Sequence, residues 1–293
     1  CVPDGIHKRN ADVHTPHNLK NHPSMKTLVI NLPQSTDRLR SLNEQLNAHP
    51  YLDVEVIEAV DGRRLSPEET DRAFDSRRFR RHYHRNPRPG EIGCTLSHQK
   101  AYRRIKETGV NTLILEDDIH ILRDMRNELK EVDEWLSSDR PRLLMLGGAG
   151  LYRRRYVNDI NSPLCTRLVS PCLYVYGAYA YALNPKAAKL LINKRPGCVS
   201  DEFIPICKRH KIELKIMLPP SVTPTKQSLE FSYVKPKKEE NRCFSEGKGV
   251  SGKNAFRYFP SAQDPPYLYG DYGRLIEKPG AYGRDAYPLC FKY

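Results

Sequence analysis

The sequence predicts an α/β domain with a mixed, mostly parallel central sheet flanked by helices. Three observations carry that expectation. Short apolar runs, of the kind found in strands buried on both faces, alternate with stripes of helical period. Helix-start signals such as Ser66-Pro67 and Asn184-Pro185 fall between those runs. The densest acidic cluster directly follows one of the runs, where open α/β sheets place their ligands. At 293 residues the chain is long enough for a sizeable core. No apolar run approaches the roughly 18 residues that would cross a bilayer.

Each element has its own reason. Thr27-Leu28-Val29-Ile30-Asn31-Leu32 reads as a buried strand, followed by a turn and a helix with Leu39, Leu42 and Leu46 on one stripe, capped by Ser35 or Thr36. Val54 to Val60 is a second strand, closed by Asp61-Gly62. Ser66-Pro67-Glu68-Glu69 carries an N-cap, Pro at the first helical position and a capping-box Glu. A helix runs from the Pro89-Gly90 region to about Thr108, and a third strand covers Thr112 to Leu115. Met125, Leu129, Val132 and Leu136 lie at i, i+4, i+7 and i+11, the core face of a helix. Leu143 to Leu146 and Ala178 to Leu183 are further strands, the latter leading into a helix opened by Asn184-Pro185.

The ends differ in texture. Residues 1–24 are polar, aperiodic and rich in His and Pro, and read as a flexible tail; His7, His14, His17 and His22 lack a metal-ligand spacing. Residues 25–234 form the expected domain. Residues 235–293 hold seven of the 17 tyrosines among Gly and Pro, with Tyr-Gly-Arg at 272–274 and 282–284. An aromatic-packed extension and a mobile tail are both open there. The chain starts at Cys1 rather than Met, so an upstream stretch is expected to have been removed or omitted, which leaves open a signal or anchor lost with it.

Charge and cysteines narrow the class. Lys and Arg number 48 against 35 Asp and Glu, a formal charge of +13, which favours polyanions: nucleic acid, anionic lipid or phosphorylated substrates. None of the eight cysteines forms a CxxC pair, so neither a zinc ribbon nor a thioredoxin-type dithiol is readable. Walker, dinucleotide-binding, Gly-x-Ser-x-Gly and His-Glu-x-x-His motifs are all missing, which disfavours P-loop kinases, dehydrogenases, serine hydrolases and zincins.

Four segments carry chemistry. In Leu113-Ile114-Leu115-Glu116-Asp117-Asp118-Ile119 a buried strand lifts three acids to its carboxyl end. Strand alternation directs Glu116 and Asp118 to one side and Asp117 to the other. Clustered carboxylates suit a hard divalent cation, Mg²⁺ or Mn²⁺, although a polar strand end is an equal reading. Gly90-Glu91-Ile92-Gly93-Cys94-Thr95-Leu96-Ser97-His98 opens a helix whose free N–H groups attract an anion. His98 falls on the inward stripe, where a core hydrogen-bonding role is the favoured reading, and Cys94 is as readily packing. Ser200-Asp201-Glu202-Phe203 offers a general base or a helix cap, and local sequence favours the cap. Arg72, Arg77, Arg78, Arg80, Arg81, Arg85 and Arg88 interleave with Phe79 and Tyr83, by default a solvated face.

In this order the segments resemble glycosyltransferase family 25, the lipopolysaccharide and lipooligosaccharide glycosyltransferases with relatives that act on collagen. The resemblance rests on Val29-Ile30-Asn31-Leu32 with Asp37-Arg38, Ala59-Val60-Asp61-Gly62, Gly90 to Cys94 with Ser97-His98, Leu115 to Asp118, Gly177 to Leu183 with Ala187, and Asp201-Glu202-Phe203. It spans about Met25 to Gln227. It implies a GT-A-like nucleotide-sugar-binding domain and metal-dependent, inverting hexose transfer, galactose first, from a UDP-sugar to a glycan or glycolipid. It also implies site residues: Glu116 and Asp118 for Mn²⁺ or Mg²⁺; Asn31, Arg38, Val60, Asp61, Glu91, Ser97, His98 and Asp117 around the donor; Asp201, with Glu202, as catalytic carboxylates.

Two other classes compete. A basic nucleic-acid-binding protein would use the +13 charge but gains nothing from acids at a strand end, so no nucleic-acid partner is expected. A metal-dependent nucleotidyltransferase or phosphohydrolase would cleave a UDP-sugar or nucleotide without a sugar acceptor. The basic surface equally suits peripheral contact with an anionic membrane. The expected location is cytoplasmic, with a secretory lumen as the rival.

Overall fold

The computed structural model describes residues 24–147, 149–159, 167–225 and 287–288. The expected tail before Ser24 and nearly all of the 235–293 extension lie outside the described residues.

The elements run β1 (Met25–Asn31), α1 (Thr36–Leu46), β2 (Leu52–Glu58), α2 (Pro67–Ala73), α3 (Ser76–Tyr83), α4 (Pro89–Thr108), β3 (Thr112–Glu116), β4 (Ile119–Ile121) and α5 (Arg126–Leu136). They continue with β5 (Arg142–Met145), β6 (Ala149–Asp159), β7 (Arg167–Tyr176), β8 (Ala180–Leu183), α6 (Pro185–Leu191), α7 (Phe203–His210), β9 (Glu213–Leu218), β10 (Val222–Pro224) and β11 (Tyr287–Pro288).

One nine-stranded sheet has the order β11-β6-β7-β9-β5-β8-β3-β1-β2. Its strand directions are mixed and mostly parallel, as expected: β2, β1, β3, β5, β9 and β6 point one way, and β8, β7 and β11 point back. Five of the eight neighbouring pairs are nonetheless antiparallel, because β8 is inserted between β3 and β5, β7 between β9 and β6, and β11 pairs with β6 at the edge. A short ribbon of β4 and β10 stands beside the sheet.

Period-two alternation distributes side chains to the two faces. Leu28, Ile30 and Ile114 join Tyr102, Ile105, Ala187 and Phe203, under α4, α6 and α7. Val29, Leu113 and Leu115 join Leu42, Met125, Leu129 and Val132, under α1 and α5. A satellite core of Phe74, Phe79 and Ile92 holds α3 to the start of α4.

Local chemistry sets the boundaries. The capping box at Ser66 and Glu69 forms, with Ser66 Oγ accepting from Glu69 N at 3.2 Å and Glu69 Oε2 accepting from Ser66 N at 2.8 Å. Asn184 caps α6 through Ala187 N and also accepts from Arg142 N, tying α6 to β5. Ser35 is the N-cap of α1, but its hydroxyl makes no capping bond. It is the buried side-chain oxygen left without a partner among the described residues. The middle of the arginine run forms α3, where Phe79 and Tyr83 face inward while Arg77, Arg80 and Arg81 remain exposed; Arg72 lies on α2, and Arg85 and Arg88 follow α3. The β6–β7 hairpin, β9 and α7 go beyond the sequence reading.

Candidate functional site

The site lies where β1 and β3, parallel neighbours, end at the same edge, with Ile30 paired to Glu116. Beyond that pair the backbone turns, and the alternation argument fails because Asp117 and Asp118 belong to a turn rather than to the strand. Asp117 accepts from Asn31 Nδ2 at 2.7 Å, and Asn31 also donates to Ser35 O at 3.2 Å. Arg38, on the first turn of α1, reaches both aspartates, at 3.4 Å to Asp117 and 3.1 Å to Asp118. Burial pushes the Asp117 carboxyl above its ordinary range, against the pull of Asn31 and Arg38.

Glu116 takes the other direction. Its Oε1 lies 3.1 Å from His98 Nε2 and 3.9 Å from Cys94 Sγ. His98 is only 1% exposed, and its Nδ1 meets the Tyr181 hydroxyl at 2.7 Å, which in turn meets Tyr102 at 3.0 Å. His98 is therefore a buried hydrogen-bonded residue, as its place on the inward stripe predicts, and its outer nitrogen fixes a site carboxylate.

The loop after β2 is clamped onto α4. Val60 N donates to Ser97 Oγ at 2.8 Å, and Ser97 Oγ donates to Gly93 O at 2.7 Å. A Cβ on Gly62 would sit 1.8 Å from Pro89 O, and one on Gly93 would sit 2.4 Å from Val60 O, so both positions need glycine for close approach. Asp61 accepts from Arg63 and from Gln34, and the Arg63 guanidinium holds its carboxyl below the usual range. Glu91 is 5% exposed, caps Arg88 N at 2.8 Å and pairs with Arg85 at 2.5 Å. These bonds place Glu91 in the support of α4, beside the loop.

The third side comes from the segment before α7. Ser200 Oγ lies 3.0 Å from Cys94 Sγ. Burial raises the Asp201 carboxyl above its ordinary range, and the negative charge of Glu116 adds to that rise. Burial also raises the Cys94 thiol, with further contributions from Glu116, Asp201 and Asp118. Glu202, the N-cap residue of α7, makes no side-chain cap bond and lies 3.3 Å from His82 on α3. A cavity of about 110 Å³ continues past this segment, lined by His98, Tyr102, Cys198, Ser200, Phe203 and Arg209.

Sequence reasoning left Ser200 and Tyr181 without roles. Ser200 adjoins Asp201, and Tyr181 is a hydroxyl within an apolar strand, so both signals were weak. Glu116, at the end of β3, and Asp118, in the turn after it, offer hard carboxylate oxygens. Cys94, His98 and Glu116 form a mixed set with all ligand atoms within 4.8 Å of one another.

A strand-end cluster of carboxylates braced by an arginine thus stands at one end of an α/β sheet, and the comparisons specify the family. Residues 24–198 match the sequence model of glycosyltransferase family 25, described as an LPS biosynthesis protein, and the chain belongs to that family. The fold is consistent with the GT-A-like domain expected from the sequence. A glycosyltransferase-named protein of Acanthamoeba polyphaga mimivirus is 25% identical over 58% of this chain and 53% of its own length. Procollagen galactosyltransferase 2 of Mus musculus is 28% identical over 61% of this chain and 29% of its own length. The chain thus spans about half or less of those relatives. Among solved structures, a glycosyltransferase of PBCV-1 capsid glycosylation shows 14% identity and a TM-score of 0.26, covering 58% of this chain and 64% of that one.

Proposed function

We propose that this chain transfers a hexose, galactose first among the candidates, from a UDP-sugar to a hydroxyl of a glycan or glycolipid, with inversion at the anomeric carbon. The observation that carries the reading is the placement of Glu116, Asp117 and Asp118 at the carboxyl end of β3, with Arg38 bound to both aspartates and Asn31 to Asp117. The family and the name of the mouse relative support the reaction class and the sugar.

Each residue has a role in this reading. Glu116 and Asp118 would hold a divalent cation, Mn²⁺ or Mg²⁺. The donor chemistry fits: both ligands would be carboxylate oxygens, which suit a hard divalent cation. The cation, when bound, supplies Lewis-acid neutralisation of the departing diphosphate. Arg38 holds Asp117 and Asp118 in place, and Asn31 fixes Asp117 from the strand side. The unpartnered Ser35 hydroxyl at the start of α1 offers a hydrogen-bonding group for the nucleotide. Asp201 accepts the acceptor's proton as the new C–O bond forms and the bond from the anomeric carbon to the phosphate oxygen breaks. A raised carboxyl suits that task better than an ordinary one.

The test is a panel of UDP-sugars with Mn²⁺, glycan and glycolipid acceptors, and readout of both UDP release and the coupled product. Coupled product that needs the acceptor supports transfer. UDP release indifferent to the acceptor would assign a hydrolase. Asp118→Asn is expected to lower turnover by about 10²–10³-fold, the scale for losing one preorganised electrostatic group, with the melting temperature little changed. Near-normal turnover in that variant removes Asp118 from the cation site.

A further inference from the structure

We propose that Cys94, His98 and Glu116 form a zinc site, distinct in ligand chemistry from the all-oxygen cation site and sharing Glu116 with it, so that bound zinc is an inhibitor. The binding stands on geometry alone; the inhibitory consequence rests on the transferase reading above.

Cys94 and His98 are four residues apart on α4, so their side chains rise from one face of the helix. Glu116 arrives from the end of β3 and completes the triangle. Its Oε1 is 3.1 Å from His98 Nε2 and 3.9 Å from Cys94 Sγ, and all three ligand atoms lie within 4.8 Å. Zinc bonds of about 2.0–2.3 Å in tetrahedral geometry put neighbouring ligand atoms roughly 3.3–3.7 Å apart. The two edges at Glu116, 3.1 and 3.9 Å, therefore reach that spacing with shifts of a few tenths of an ångström.

The surroundings are those of a ligand set. His98 Nδ1 is engaged by Tyr181 OH at 2.7 Å, which fixes the ring and turns Nε2 to the open side. Ser200 Oγ, 3.0 Å from the sulfur, can donate to a thiolate. The Glu116 side chain is 28% exposed, so the ion has a way in. Three protein ligands leave a fourth position for water. Thiolate, imidazole and carboxylate together favour zinc over Mg²⁺ or Mn²⁺, which take oxygen donors. On binding, the Cys94 S–H proton passes to the buffer as the metal–sulfur bond forms. Glu116 cannot serve zinc and the donor's cation at once.

The experiment uses the full chain, stripped of metal under reducing conditions, titrated with Zn²⁺ against a chromogenic chelator and, separately, with Co²⁺ followed by absorption. The expected result is one zinc per chain and a cobalt spectrum with a thiolate-to-metal charge-transfer band. Cys94→Ser should weaken zinc by more than about 100-fold, beyond the 10–100-fold that outer-shell changes cause. A folded wild-type chain lacking that band, or Cys94→Ser binding zinc as tightly as wild type, overturns the site. Should Cys94→Ser fail to fold, the wild-type cobalt band decides. If transfer is found with Mn²⁺, Zn²⁺ should inhibit it at the occupancy measured by chelator competition. Full activity with zinc bound overturns the inhibitory role. A chain that binds zinc but transfers no sugar refutes the transferase reading and leaves the site standing.

Discussion

Asp201, the general base in the proposed reading, carries a carboxyl whose burial costs stability. Its carboxyl is raised above the ordinary Asp value of 3.8, by burial first and by the charge of Glu116 in addition. A group whose folded-state value is raised holds its proton longer in the native state than in the unfolded chain. Stability therefore falls as pH climbs through the window between the ordinary value and the raised one, and the deficit persists at neutral pH. Asp201→Asn removes the ionisable group while keeping its shape. The expected outcome is a melting temperature at pH 7 equal to or above that of wild type, an advantage that disappears below about pH 4. Transfer should be lost in the same variant. Scanning calorimetry across pH, paired with product formation, checks both halves; a large drop in melting temperature at pH 7 would mean that the carboxylate is structural. The residue-level chemistry was only partly legible in the sequence. The acids at 116–118 announce themselves because three adjacent carboxylates need a reason. The division of labour among them does not, since strand parity ends at Glu116 and the turn sends Asp117 and Asp118 jointly to Arg38.

At the scale of elements, the clamp between the 60–62 loop and α4 sets the floor of the site. Two glycines make the backbones touch, and Ser97 Oγ closes the contact by accepting from Val60 N. In Gly62→Ala the added carbon meets Pro89 O at 1.8 Å, a backbone atom that cannot turn aside. We expect a loss of about 1–3 kcal/mol, the usual cost of overpacking, measured by denaturant unfolding. Donor affinity should fall as well if, as the family resemblance implies, Asp61 and Val60 lie beside the donor, because both move with the loop. Wild-type stability would show that the loop stands further from α4 than the contact implies. Elements with their own punctuation were readable: α2 from its capping box, α5 from its four-residue stripe, α6 from Asn184-Pro185. Those defined by partners were not. β8 reads as one more apolar strand, and nothing within Ala180–Leu183 says that it runs antiparallel between β3 and β5. The arginine run hid α3 because only Phe79 and Tyr83 face inward, too few to show a helical stripe.

For the whole molecule, the formal charge of +13 sets the partners it will meet by attraction at a distance. Glu91 takes up Arg85, Glu55 takes up Arg104, and Asp117 with Asp118 takes up Arg38. The outer face of α3 keeps Arg77, Arg80 and Arg81 exposed, while Phe79 packs inside and Arg85 stacks over it at 5.1 Å. Aromatics turned inward cannot stack on bases, which weakens the nucleic-acid reading and favours an anionic surface that needs only charge. No helix among the described residues is long and apolar enough to cross a membrane. Each exposed arginine near an anionic bilayer contributes about 1 kcal/mol. Replacing Arg77, Arg80 and Arg81 together by Ser should weaken binding to phosphatidylglycerol-containing vesicles by roughly 100-fold, at about 1.4 kcal/mol per tenfold. Folding stability should change little, since the positions are exposed. Wild-type binding should fade as added salt shortens the screening length from about 10 Å towards 3 Å, and it should be weak on pure phosphatidylcholine. Sedimentation of vesicles over a salt series measures all three effects. Equal binding to neutral vesicles, or binding indifferent to salt or to the triple substitution, would show that α3 is not the docking face.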